Sequence, residues 1–239
     1  MYAPKRDDQP VSEDYPTTSV PASLYSRHKA AAEAHLNHVE RTRPGVIAIA
    51  RTRPGFVLQA DAGAAIARYG LPAYLPSGLL RHVPVLPLAK RLVIPVVHAT
   101  DLADAIARIV RRKATGAFNL AAEEPLHRDD IAKVLGARPV DVPAPVVHYV
   151  IDVAWRLRLQ PLDASWIDLA FAVPLLDTSR ARTILDWRPR IAADRALTET
   201  LEAMAAGRGI SGPVLRPRSA IGQLRRLVRD GPITTRRLP

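Results

Sequence analysis

Three short apolar runs set the strongest constraint on the fold. They are "GVIAIART" (Gly45 to Thr52), "LVIPVVHA" (Leu92 to Ala99) and "GAFNLA" (Gly116 to Ala121). Each is too short for a stable helix and too apolar for a solvated loop, so each reads as a buried strand. Helix-period segments separate them: "DAGAAIARYG" ends near Gly70, and "TDLADAIARIVRR" runs from Thr100 to Arg112. In the latter, Thr100 or Asp101 is the cap, and Leu102, Ala105, Ile106, Ile109 and Val110 form the apolar stripe. A helix dense in Ala, Glu, His and Lys is expected over about 22–40, before the first run. A short helix closed by Gly136 and an extended piece, "ARPVDVP", follow the third. This alternation over the first 140 residues predicts a parallel α/β sheet. From Ala144 onward the pattern is helical, which predicts a mostly helical lobe beside the sheet. Two copies of "RTRPG" (Arg41–Gly45 and Arg51–Gly55) lie too close together to be structural repeats.

Composition narrows the function classes. There is no cysteine, which excludes disulfides, thiolate metal sites and cysteine nucleophiles. No stretch reaches the roughly 18–20 uninterrupted apolar residues of a membrane span. The opening "MYAPKRDDQP" has no apolar segment of a secretory signal, so a cytoplasmic location is expected. The net charge of +11 is concentrated at one end: residues 208–239 hold eight arginines and one acid, leaving +4 on residues 1–207. That end reads as a solvated, flexible tail. Its short apolar face (Ile221, Leu224, Leu227, Val228) and lack of aromatics give no specific nucleic-acid signature, although loose contact with nucleic acid or anionic lipid is the alternative. One domain over residues 1–207 followed by a basic, flexible tail over 208–239 is therefore expected.

The chemistry-bearing stretch is "SLYSRHKAAAEAHL" (Ser23 to Leu36). Tyr25 and Lys29 are four residues apart and share one helix face. An ammonium beside a phenol favours the phenolate, and such a pair can exchange a proton with an alcohol or carbonyl oxygen. Spacing alone is weak evidence, because six tyrosines and five lysines give about 0.1 such pairs by chance in 239 positions. His28, His35, His38, Glu33 and Glu40 lie nearby without a third convergent ligand, so no metal site is expected. No Gly-x-Ser-x-Gly elbow is present, which argues against an α/β-hydrolase.

Context gives the pair its meaning. "SLYSRHKAAAE" resembles the Tyr-x-x-x-Lys helix of the short-chain dehydrogenase/reductase superfamily, and more narrowly its extended branch, the NAD-dependent epimerase/dehydratase family. In order down the chain, "RTRPGFV", "VVHATDLADAI", "GAFNLA" and "DTSRARTILDWRP" resemble further elements of that family. The resemblance implies the C-terminal part of a Rossmann-like parallel sheet with a helical substrate-side lobe, and NAD or NADP as cofactor. It implies redox chemistry on a hydroxyl or carbonyl of a small-molecule substrate such as a sugar nucleotide. Tyr25 would be the acid/base and Lys29 its partner and ribose ligand. Pro54 and Phe56 would lie near the nicotinamide, with Phe56 where relatives often carry asparagine. His98 and Arg180 would lie on the substrate side, and a homodimer would form through the Tyr25/Lys29 helix. Asn119 reads instead as satisfying local backbone, Trp187 as packing, and Asp186 as a turn residue where the family prefers glycine.

The Gly-x-x-Gly-x-x-Gly turn that cradles a pyrophosphate does not occur in this sequence. By the same resemblance, the family's catalytic serine or threonine would fall at or before Met1. The expectation is a chain without the N-terminal βαβ nucleotide-binding half and without a full cofactor site. Three functions compete: an NAD(P)-dependent enzyme, an inactive remnant or partner-dependent module, and a basic binding module working through the tail.

Overall fold

The first strand, β1 (Ala50–Pro54), reads Ala-Arg-Thr-Arg-Pro, which is hardly an apolar sequence. It forms because β6 (Gly116–Leu120) lies parallel to it, in register from Ala50↔Gly116 to Pro54↔Leu120. The apolar run before it, in which Val46 and Ile47 are exposed, precedes the strand. The reading of Gly45–Thr52 as the strand is thus corrected: the length of the partner, not the run of valine and isoleucine, sets the ends. The two "RTRPG" copies do different work, one closing the first helix, α1 (Leu24–Thr42), and the other building β1.

The computed structural model describes residues 1–70, 82–157 and 162–209, with positions 78, 159, 225 and 228. These form two units. The first comprises residues 1–58, 91–128 and 165–196; the second comprises 59–90, 129–164 and 197–239. The remaining tail residues, including Ile221, Leu224 and Leu227, lie outside the described residues.

In the first unit one segment pairs twice. β1 ends at Pro54, and β2 (Phe56–Leu58) pairs in parallel with β5 (Val96–His98). Gly55 is the crossing point: its amide bonds Leu120 O (2.9 Å), and the next amide bonds Pro95 O (2.7 Å). A Cβ on Gly55 would lie 2.6 Å from Pro95 O and 2.9 Å from Val96 N, so only glycine fits there. "LVIPVVHA" is two strands rather than one: β4 (Val93–Ile94) runs antiparallel to β7 (Leu126–His127), and after Pro95 β5 takes β2. Proline has no amide to continue a ladder, and the chain changes partner at that point.

The core of this unit lies between β5, β6, α3 (Ala99–Arg112) and α7 (Ser179–Leu185). Val97, Ala105, Ile109, Phe118, Leu120, Ala181, Leu185 and Trp187 fill it. Burying a side chain of the size of Phe118 contributes about 1.5–3 kcal/mol. The α3 stripe is Asp101, Ala105 and Ile109, while Ile106 and Val110 face solvent, because the packing face is the one turned to α7. The cap of α3 is His98, not Thr100 or Asp101. Asp101 is instead buried, and its carboxylate accepts the amides of Arg190 and Ile191 (both 3.0 Å) while its carbonyl accepts Trp187 Nε1 (2.9 Å). Asp186 takes the left-handed turn after α7 (φ 52°), as its place in the sequence suggests. α6 (Ser165–Ala172) also belongs to this unit, with Leu169 buried.

In the second unit β3 (Val85–Pro87) pairs in parallel with β8 (Arg138–Val140). α2 (Gly63–Gly70) packs so closely on the end of α8 (Ala193–Ala205) that a Cβ at Gly63 would lie 2.7 Å from Met204 N. α4 (Arg128–Leu135) begins at the boundary of the units and closes at Gly136 (φ 63°), as expected. α5 (Ala144–Arg156) has no buried residue and exposes Val146, Tyr149 and Val150.

Candidate functional site

α1 begins on two buried hydroxyls. Ser23 is its cap, and its Oγ accepts the Ser26 amide (3.3 Å); Ser26 Oγ accepts the Val20 amide (2.8 Å). Both serines are almost fully buried, so the first turn is fixed to the loop before it. That turn presents Tyr25, 44% exposed, and one turn later Lys29, also exposed. Lys29 Nζ stands 5.7 Å from the centre of the Tyr25 ring, within cation–π range. Trp166, in the first turn of α6, stacks on the same ring with centroids 5.5 Å apart and planes 29° apart. The structure therefore brings Tyr25 and Lys29 together and adds an indole whose place beside them the sequence did not reveal. Its only signal there was a tryptophan in an apolar helical stretch.

The opposite behaviour is found farther along α1. Glu33, Asn37 and Glu40 recur at helical spacing, and Arg51 and Arg53 at strand spacing. The two faces meet. Arg51 binds Glu33 (3.1 Å), Glu40 and Asn37; Arg53 binds Glu33 (2.6 Å), Tyr2 Oη (2.9 Å) and Glu13 O (2.7 Å). Burial by itself would raise the Glu33 carboxyl, but the hydrogen bond and charge of Arg53, helped by Arg51, hold it below its ordinary value. Burial pushes the Tyr2 hydroxyl up against the opposing pull of Arg53. Tyr2 Oη also donates to Asn119 Oδ1 (2.6 Å), and Asn119 Nδ2 donates to Val11 O (2.9 Å) and Asp177 O (3.1 Å). Asn119 is fully buried, and its partners are distant in sequence, which corrects the expectation of a local role. Glu33 and Glu40 answer arginines, and among the described residues no group of three or more His, Asp or Glu side chains is arranged around a metal.

The other expected site residues lie in the same unit, Pro54, Phe56 and His98 on its strands and Arg180 on α7. Pro54 ends β1, and Phe56 opens β2 with 52% of its surface exposed. Phe56↔Val96 and Leu58↔His98 are aligned pairs, so Phe56 and His98 face one side of this ladder at opposite ends. His98 is buried, and its Nδ1 accepts the Thr100 amide (3.2 Å) and contacts the Thr100 hydroxyl (2.8 Å). Arg180 lies over the Phe118 ring (5.1 Å) and donates to Ala117 O (3.0 Å) and Thr115 O (3.3 Å). With Arg51, Arg53, Glu13, Asp14 and Asp177 it lines an open recess of about 500 Å³. Asp177 is held below the ordinary carboxylate range by hydrogen bonds from Ser179.

For a dinucleotide, the described residues fit one end. Tyr25 and Lys29 are side by side, exposed, and able to donate to ribose hydroxyls. No glycine turn in the sequence offers backbone amides to a pyrophosphate.

No family model and no curated protein matches the sequence. Solved structures do. The UDP-glucose 4-epimerase of Thermus thermophilus, in complex with NAD, superposes with a TM-score of 0.56 at 18% identity, over 86% of this chain and 60% of that one. The UDP-glucose 4-epimerase of Bifidobacterium longum, with NAD+ and UDP, gives 0.54 at 17% identity, over 85% and 60%. The dTDP-glucose 4,6-dehydratase of Bacillus anthracis, with NAD, gives 0.55 at 15% identity, over 84% and 57%. The chain thus has the fold of part of these Rossmann-like proteins and spans about three fifths of their length. Among the described residues, no helix is long and apolar enough to cross a membrane.

Proposed function

We propose that Tyr25 and Lys29 are the acid–base pair of an NAD(P)-dependent oxidoreductase or epimerase acting on a hydroxyl or carbonyl of a small molecule, of the sugar-nucleotide class. One observation carries this reading. An exposed tyrosine and lysine are held together at the start of α1, 5.7 Å apart, in a chain with the fold of NAD-bound epimerases and dehydratases. A nicotinamide, when bound, supplies the hydride chemistry. Tyr25 takes a proton from, or returns it to, the substrate oxygen. Lys29 holds its ammonium by the Tyr25 ring and donates to a ribose hydroxyl. Pro54 and Phe56 line the nicotinamide end. His98 and Arg180 face the substrate, Arg180 with its guanidinium fixed by two backbone carbonyls at the recess. In this reading residues 1–207 are the working domain, 208–239 a basic tail without sequence-specific nucleic-acid contacts, the Tyr25/Lys29 helix a homodimer face, and the protein cytoplasmic.

A second reading is carried by the absent glycine turn. The sequence holds no Gly-x-x-Gly-x-x-Gly turn, and in this reading the chain is inactive or works with a partner that supplies the pyrophosphate cradle. Calorimetric titration with NAD and NADP separates the two. Micromolar binding that weakens about tenfold in Lys29→Ala supports the enzyme; no heat at millimolar cofactor supports the module.

A further inference from the structure

The stacked pair Tyr25 and Trp166 joins two elements far apart in sequence. α1 supplies the phenol and α6 the indole. Neither ring is buried: Tyr25 is 44% and Trp166 38% exposed. Two half-exposed rings held 5.5 Å apart at a shallow angle are not core packing, since the core of this unit lies between α3, α7 and the strands. α6 is anchored independently of the indole. Leu169 is buried, Arg91 lies over the Phe171 ring at 5.5 Å, and Ala172 O accepts the Lys5 amide at 2.8 Å. The indole is therefore presented from a fixed helix. A tyrosine in an exposed first turn would otherwise sample several χ1 wells, and the serine caps fix only its backbone.

We propose that Trp166 is a positioning residue: it holds the Tyr25 ring in one orientation beside Lys29 and leaves the hydroxyl edge free for a substrate oxygen. This rests on the acid–base reading of Tyr25, but the contact itself can be tested without turnover. Tetranitromethane nitrates tyrosines according to the accessibility of the ring, and peptide mass spectrometry resolves each site. Tyr2 is 5% exposed and reports on an intact fold; Tyr149 is 68% exposed and gives the unprotected rate. Expected is a rise of about threefold or more in the Tyr25 rate in Trp166→Ala and in Trp166→Leu, which keeps bulk without a ring to stack. Trp166→Phe restores the near-original rate, and Tyr2 stays protected throughout. A Tyr25 rate unchanged in Trp166→Leu, with Tyr2 protected, overturns the proposal. So does a Tyr25 rate in Trp166→Phe as high as in the leucine variant. Failure of the acid–base reading shows elsewhere, as turnover that survives Tyr25→Phe, and leaves the nitration pattern as it was.

Discussion

The two ends of α1 treat polar side chains in opposite ways. Toward its C-terminus, Glu33, Asn37 and Glu40 are locked to Arg51 and Arg53, and through Tyr2 and Asn119 to two further segments. Toward its N-terminus, Tyr25 and Lys29 are exposed and touch an indole and each other. The groups of the buried network are tied to one another across α1 and β1 and serve the fold. The exposed pair contributes little to the fold and is free for chemistry.

The contrast breaks most readily at Arg53. Arg53→Met leaves Glu33 to Arg51 and takes the donor from Tyr2 Oη and Glu13 O in a largely buried setting, and is expected to lower unfolding free energy by about 3–5 kcal/mol. Urea denaturation measures it, and a loss below about 1 kcal/mol would show the network to be ornamental. Trp187→Phe comes next, with about 1–3 kcal/mol, because the Asp101 carbonyl loses its buried donor. A pH test sharpens the same region. The folded value of Glu33 lies below its unfolded one, so its contribution is complete above about 4.5 and is lost as pH falls through the lowered folded value. Glu33→Gln should therefore flatten the decline of stability as pH falls below about 5. An unchanged slope would mean that other carboxylates carry it. At the exposed end, Tyr25→Phe and Lys29→Met should each shift stability by less than about 0.5 kcal/mol. A larger loss would make the pair structural and erase the contrast.

Much of the fold could be read from local pattern. α3 and α4, the strand of Phe118 and Asn119, the Gly136 turn and the left-handed Asp186 follow from periodicity and turn chemistry. The failures share a cause. β1 is polar in sequence because its Arg51 and Arg53 face acids on α1, so no apolar run marks it. Pro95 splits an apolar run between two partners. His98 caps α3 because the strand before it ends there. Each was decided by a distant partner, which a local window does not contain. The same holds at the candidate site. Tyr25 and Lys29 announce themselves by spacing, whereas Trp166, 141 residues after Tyr25, is known only from the fold.

Proton transfer by Tyr25, as proposed, is open to a kinetic test. The direct measurement is the rate of NAD- or NADP-linked turnover, over a panel of sugar nucleotides, by the protein and by Tyr25→Phe, with cofactor titration and urea unfolding run alongside. Expected is a fall of about 10²–10⁴ in rate with cofactor binding and stability nearly unchanged. A phenylalanine variant that keeps near-full rate contradicts it.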